Sequence, residues 1–183
     1  MGTHLDGWSD EKLMAQLMTG DSSALDPLVT RYHAQLLAYA FRLTHCDLQT
    51  AEDILQEAFV RLLTQKSFQP PRALRPWLYR LVTNVAYDQA SRWKAGSDSF
   101  DDLASRSKGP EQQTLDHEEA MTVRNALSQL SDEHRAVLVM RFFQDMSLTE
   151  TAEALEVPVG TVKSRQSEAA RQLRASLTAL EPL

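Results

Sequence analysis

The chain has 183 residues, a net charge of −6 at pH 7, and apolar and charged fractions of 43% and 24% that exclude a globally disordered protein. Its single cysteine, Cys46, excludes an internal disulfide and a cysteine-cluster zinc site. No basic-then-apolar leader and no apolar run of roughly 18–20 residues is present, so we expect a cytoplasmic protein without membrane insertion. We also expect no metal and no cofactor.

Helical periodicity runs through the first part of the chain. Apolar residues recur at three-and-four spacing over residues 10–19 and again over 24–44. Thr50, followed by acids, is expected to cap a third helix. The apolar face of that helix is predicted to be buried and contains Ile54, Leu55, Ala58, Phe59, Leu62 and Leu63.

Further helices lie on either side of a polar segment. Pro76 is expected to be the first residue of a helix that runs over 77–93. The pattern then dissolves across 94–117, which is rich in Ser, Asp, Gly and Gln. Helical spacing resumes over 118–130, and Ser131 is expected to cap a helix containing Val137, Leu138, Met140, Phe142 and Phe143.

No alternating pattern of strand length occurs in the sequence, so the predicted fold class is all-α. We expect two small helical domains, over residues 1–93 and 118–183, joined by a flexible polar linker over 94–117. The C-terminal domain is expected to contain a helix-turn-helix.

That motif is the sequence SLTETAEALEVPVGTVKSRQSEAARQLR over residues 147–174. Ser147 and Glu150 have the spacing of a capping box at the start of a first helix, and Val157–Pro158 is expected to form the turn. The second helix is expected over 159–174. Near its N-terminus it presents residues that suit phosphates or guanine edges, namely Thr161, Lys163, Ser164 and Arg165. The pattern predicts a helix that enters a DNA major groove.

Basic residues are concentrated in two stretches of this acidic chain. Residues 61–93 carry 6 Lys or Arg against one acid, and residues 163–174 carry 4 against one. Binding to nucleic-acid phosphates depends on local basic patches of this kind rather than on the net charge of the chain.

Three segments share one resemblance. GTVKSR at 160–165, together with the helical sequence before it, is similar to the fourth conserved region of the extracytoplasmic-function (ECF) subfamily of bacterial RNA polymerase sigma factors. AEDILQEAFVRLL at 51–63 and PWLYRLVTNVAYDQASR at 76–92 resemble the second region. The resemblance covers nearly the whole chain. It implies a subunit that is not an enzyme and that directs promoter-specific transcription initiation by core polymerase.

The resemblance also implies partners and residues. Core polymerase, through its beta-prime and beta subunits, would meet an acidic face with an apolar neighbour formed by Asp53, Gln56, Glu57 and Val60. The −10 element and its non-template strand would be held by Arg72, Arg75, Trp77, Tyr79, Arg80, Asn84, Tyr87, Asp88 and Arg92. The −35 duplex would meet Pro158, Gly160, Thr161, Lys163, Ser164, Arg165 and Arg171. An anti-sigma factor is a further expected partner.

Within the −10 set, the side chains have different expected roles. Asn84 matches a position that lines a pocket for a flipped base. Tyr79 and Tyr87 are candidates for stacking on unpaired bases, although helical spacing fits core packing equally well for both. Core packing is the expectation for Trp77 and its apolar neighbours.

The sequence departs from the family pattern in the helix-turn-helix. Glu156 stands where glycine is usual, so the turn is expected either to accept a left-handed non-glycine residue at a cost of about 1 kcal/mol or to use another geometry. Gln166, Glu168 and Ala170 replace an expected leucine and arginines. Glu168 is expected to weaken phosphate attraction on the DNA face unless it accepts a hydrogen bond from a cytosine amine.

Two other classes of function fit part of the pattern. A stand-alone helix-turn-helix regulator would bind its operator as a symmetric dimer, but no dimer seam is evident. A helical adaptor that sequesters other proteins would not need Asn84, Lys163 or Arg165. An enzyme fits least, because the histidines are scattered and no metal-ligand spacing or Gly-rich phosphate loop occurs.

Overall fold

A computed structural model describes Leu5 and residues 7–45, 47–64, 73–96 and 115–178, without the side chains of 93–96 and 115–120. The described helices are α1 (Asp10–Met18), α2 (Leu25–Leu43), α3 (Leu48–Thr64), α4 (Leu74–Gly96), α5 (Leu115–Ser128), α6 (Asp132–Leu138), α7 (Leu148–Leu155) and α8 (Val159–Thr178). No strand occurs among the described residues, in agreement with the all-α prediction. The linker predicted over 94–117 lies mostly outside them.

Helices α1 to α4 form the N-terminal half, in which α2, α3 and α4 pack against one another. The expected cap at Thr50 is wrong, because α3 already begins at Leu48. The Asp47 carboxylate accepts a hydrogen bond from the backbone N–H of Thr50 at 3.2 Å, which is the usual geometry of an N-terminal cap. Thr50 itself is buried.

Helix α4 begins earlier than predicted, at Leu74, so Pro76 is its third residue and not its first. Proline is tolerated there because the N–H groups of the first helical turn have no intrahelical acceptor. Leu74 and Leu78 pack into the core of the N-terminal half and hold this end of the helix in place.

Helices α5 to α8 form the C-terminal half. The Ser131 side chain accepts a hydrogen bond from the His134 N–H and caps α6, as predicted. A π-helical turn over Val139–Phe143 then follows α6. It keeps Met140 fully buried but turns Phe142 and Phe143 outward, with exposed fractions of 59% and 42%.

The two halves share one hydrophobic core, which the sequence did not predict. Helix α7 packs along α4, and α6 with its π-turn contacts α2. Buried residues of the C-terminal half join the cluster built around Tyr39, Leu43 and Val82 of the N-terminal half; they are Ala136, Val139, Met140, Met146 and Ala154. The C-terminal half therefore covers part of α2 and α4.

Candidate functional site

The outer face of α3 combines acidic, amide and apolar side chains. Asp53, Gln56, Glu57 and Val60 are all exposed, and Ile54, Leu55, Ala58 and Leu62 on the opposite side are buried. Leu63 was expected in the core, but it is 49% exposed, close to the 48% of Val60. Spacing of seven from Gln56 and three from Val60 places Leu63 on the same face. The exposed apolar part of this face is therefore larger than the sequence suggested.

Arg61 joins α3 to α4. Its Nε donates to Oε1 of Glu57 at 2.9 Å, and its Nη1 donates to Oδ2 of Asp88 at 2.8 Å. The Asp88 and Glu57 carboxylates raise the pKa of the Arg61 guanidinium. Asp88, expected in the −10 set, thus forms an ion pair that connects the predicted polymerase-binding and strand-binding helices.

The aromatic residues of α4 are mostly inaccessible. Trp77 is 7% exposed and packs in the core, as its spacing predicted. Tyr79 is fully buried, so the expectation of an exposed stacking face is wrong for this residue. Its ring meets that of Tyr39 edge-on at 5.0 Å, and its hydroxyl donates to Oε1 of Gln144 at 2.6 Å. Tyr87 is partly exposed, and its hydroxyl donates to the Asp132 carbonyl at 3.3 Å.

Two arginines of α4 are bound by the C-terminal half. Nη2 of Arg75 donates to the main-chain oxygen of Gln144, and its Nη1 lies 3.6 Å from Oε1 of Glu150. Nη1 of Arg80 lies 2.7 Å from Oε1 of Glu156. By contrast, the other predicted polar residues on this helix, Asn84 and Arg92, are exposed, and Arg72 lies outside the described residues.

The helix-turn-helix has the predicted geometry. Ser147 and Glu150 form a complete capping box, with hydrogen bonds of 3.1 and 2.7 Å. Of the two turn geometries left open, Glu156 adopts the left-handed one, with φ 53° and ψ 41°. Ala152 and Val162 bury themselves against Val137 of α6, which fixes the crossing of α7 and α8.

The N-terminal part of α8 presents its predicted polar face to solvent. Pro158, Gly160, Lys163 and Ser164 are exposed, and Thr161 is partly so. Arg165, however, is paired with Glu133 of α6, its Nη2 lying 2.6 Å from Oε2.

Glu168 neutralises part of the basic stretch on α8. It accepts from Nε of Arg171 at 3.1 Å and from Nε2 of Gln172 at 2.7 Å. Arg171 lowers the pKa of the Glu168 carboxyl, so the pair is ionised at neutral pH. The cationic surface of α8 is accordingly smaller than four basic residues suggest, with Lys163 as its exposed member near the helix start.

An apolar groove of about 430 Å³ lies between α5, the π-turn and α8. The exposed Phe142 and Phe143 form one wall, and Val123, Leu127 and Leu173 line the remainder. The sequence pattern does not predict this groove, because it indicates a regular helix containing both phenylalanines, whereas they lie in the π-helical turn.

The described residues contain no cluster of His, Cys, Asp or Glu that could hold a metal ion. Within the same residues, none of the helices has the length and apolar character required to span a membrane.

Comparison with known proteins identifies both halves. The model of Sigma-70 region 2 matches residues 28–95, and that of Sigma-70, region 4 matches residues 126–175. The ECF RNA polymerase sigma factor SigW of Bacillus subtilis is 30% identical over 180 residues, covering 91% of this chain and 96% of that protein. SigM of Mycobacterium tuberculosis is 36% identical over 167 residues, covering 90% and 83%.

The solved structures agree with the sequence matches. CnrH in complex with the cytosolic domain of CnrY is 28% identical, with a TM-score of 0.68 over 94% of this chain and 99% of that one. The two family matches, the similarity to SigW and SigM over most of their lengths, and the similar solved structure all point to one family. The chain belongs to the ECF sigma factors, which direct promoter-specific transcription by RNA polymerase.

Proposed function

We propose that α3 carries the contact with core polymerase. Asp53, Gln56 and Glu57 provide the polar part of this surface, and Val60 with Leu63 provides an apolar part that becomes buried on binding. The supporting observation is that this exposed face combines carboxylates with large apolar side chains, which together give orientation, association rate and affinity. A merely solvated helix face has no need of the apolar pair.

Helix α4 is the proposed site for the −10 element. Asn84 offers an exposed amide that can both donate to and accept from a base edge, and Arg92 lies on the exposed surface of the same helix. Arg75 and Arg80, with Arg72 before the helix, are the proposed phosphate contacts, and Tyr87 is the stacking candidate. Trp77 and Tyr79 hold the helix in position from the core.

The exposed start of α8 is the proposed −35 contact. Gly160 and Thr161 place backbone and hydroxyl groups where phosphates approach a helix N-terminus. Lys163 and Ser164 are exposed and would face the DNA major groove. Arg165 and Arg171 complete the proposed set once their carboxylate partners are displaced. The chain itself performs no bond chemistry in this proposal; it acts in the cytoplasm as the specificity subunit of the polymerase.

A regulatory protein is the proposed occupant of the apolar groove on the C-terminal half. The exposed Phe142 and Phe143 favour an amphipathic helix as ligand, and the similar CnrH was solved with CnrY bound. The test purifies the full chain from its host together with the anti-sigma factor proposed to bind it. Compared with the free chain, this complex should show hydrogen-exchange protection over residues 123–127 and 170–177. Phe142→Ser should abolish copurification, and protection elsewhere would contradict the assignment.

Reconstitution tests the main proposal. The full chain is combined with core polymerase and transcribed from a library of promoter fragments, and the transcripts are sequenced. We expect a stable complex and start sites that share −10 and −35 elements. Failure to bind core, or transcripts without a shared element, would rule the proposal out.

A further inference from the structure

The outward face of α8 is built from short side chains and one charged pair. Val162 and Ala169 are fully buried and mark the inner side of the helix. On the other side, residues that recur at three-and-four spacing reach solvent; they are Gly160, Ser164, Ser167, Glu168 and Arg171. Because the first three have little or no side chain, the helix backbone can come close to the base edges of a groove.

Glu168 is the single acidic residue of α8 and lies within this face. Its Oε2 accepts from Nε of Arg171 at 3.1 Å, and its Oε1 accepts from Nε2 of Gln172 at 2.7 Å. The side chain of Arg171 is 74% exposed, against 38% for Glu168. Arg171 is therefore the member of the pair that is free to swing outward, whereas Gln172 keeps hold of the carboxylate.

On DNA the two members of this pair need different partners. Arg171 can exchange the carboxylate for a phosphate oxygen, because a guanidinium binds both with the same N–H groups. A carboxylate left on the groove face repels phosphates unless it meets a hydrogen-bond donor. In the major groove the bases offer such donors as the N4 amino group of cytosine and the N6 amino group of adenine, whereas guanine and thymine present acceptors.

Cytosine suits the carboxylate better than adenine does. Adenine carries the N7 acceptor beside its amino group, and N7 would face the second carboxylate oxygen, but cytosine has no acceptor on this edge. We propose that Glu168 determines specificity by selecting cytosine at one position of the −35 element, accepting a hydrogen bond from its N4 amino group while Arg171 moves to a phosphate. Gln172 orients the carboxylate. This inference rests on the proposed −35 role of α8.

The test uses the full chain bound to core polymerase and a duplex promoter library in which the −10 element is fixed and the −35 region is randomised. Sequencing of the bound fragments gives the relative affinity for the four bases at each position. The variants are Glu168→Ala, Glu168→Gln and Arg171→Ala. Glu153→Ala is the matched control, because it removes the same charge from an exposed position on α7.

We expect the wild type to favour cytosine over guanine or thymine about tenfold at one −35 position. Glu168→Ala should lose this preference at that position alone. Glu168→Gln should shift the preference to adenine, because an amide accepts from N6 and donates to N7 of the same base. Arg171→Ala should weaken all sequences alike and retain the cytosine preference, since a phosphate contact carries no sequence information.

The failures of the two proposals are distinguishable. No base preference anywhere in the −35 region of the wild type would refute the −35 contact of α8, and the role of Glu168 with it. A −35 preference that is identical in the wild type and Glu168→Ala would overturn the role of Glu168 and leave the contact of α8 standing. The same loss of preference in Glu153→Ala would also overturn it, because the effect would then follow from net charge.

Discussion

Glu156 illustrates how one residue can serve a contact at the expense of local backbone energy. Its left-handed conformation costs a non-glycine residue about 1 kcal/mol, and its exposed ion pair with Arg80 returns less than that. Glu156→Gly should therefore raise the unfolding free energy by about 0.5 kcal/mol, which thermal melts detect as a slightly higher midpoint. Glu153→Gly, in the interior of α7, should lower the unfolding free energy by about 1 kcal/mol and therefore lower the midpoint in the same melts. A fall of equal size in both variants would show that residue 156 is not strained.

Glu168 is the residue that most limits the positive charge of α8, because it neutralises Arg171. Glu168→Gln should tighten binding of the holoenzyme to −35 duplex and steepen the slope of log affinity against log salt by about one. Lys163→Ala should flatten the same slope by about one. Fluorescence titrations over a series of salt concentrations measure both, with Glu153→Gln as the control for net charge. An unchanged slope in Glu168→Gln would mean that Arg171 does not meet phosphate.

At the scale of elements, the outer face of α3 yields a prediction that depends on the exposure of Leu63. Leu63→Ser should weaken core polymerase binding about threefold to tenfold, because the proposed interface would bury an apolar side chain that is half exposed in the free chain. Met18→Ser, at a similarly exposed position on α1, is the matched control and should bind core normally. Surface-based binding kinetics give both constants. Equal affinities for the two variants would exclude Leu63 from the interface.

The elements also show which features the sequence could predict. Ser131, Ser147 and Glu150 cap their helices as expected, because a cap depends on residues within one turn. A left-handed Glu156 was one of the two turn geometries that the sequence left open. The burial of Tyr79 was not predictable, since its partner Gln144 lies 65 positions away on another half of the chain. Periodicity along α4 places Tyr79 on a face but does not say what covers that face.

At the scale of the whole molecule, one buried core joins the two sigma regions, so we expect the free chain to unfold as one cooperative unit. Residues from both halves belong to one buried cluster, and the ion pairs of Arg75 and Arg80 span the same boundary.

Arg135 is the residue on which this union depends most. Its guanidinium donates to the Leu127 and Leu130 carbonyls at 3.0 and 2.7 Å and to Leu43 across the boundary at 2.8 Å. Arg135→Ala removes the side-chain donor of the Leu43 and Leu130 carbonyls and opens a cavity, so we expect a loss of about 3 kcal/mol or more in unfolding free energy. In scanning calorimetry the wild type should give one transition and the variant two, because region 2 retains its own helices.

The matched control is Arg124→Ala, which removes a partly exposed arginine whose guanidinium lies 5.6 Å from the Phe41 ring. It spans the same boundary through a weaker contact and should leave a single transition with a small shift. Arg135→Lys separates charge from geometry: one ammonium cannot replace a planar fork that reaches carbonyls on both sides, so it should resemble alanine more than wild type. A single transition at the wild-type midpoint in Arg135→Lys would show that the positive charge alone joins the two regions.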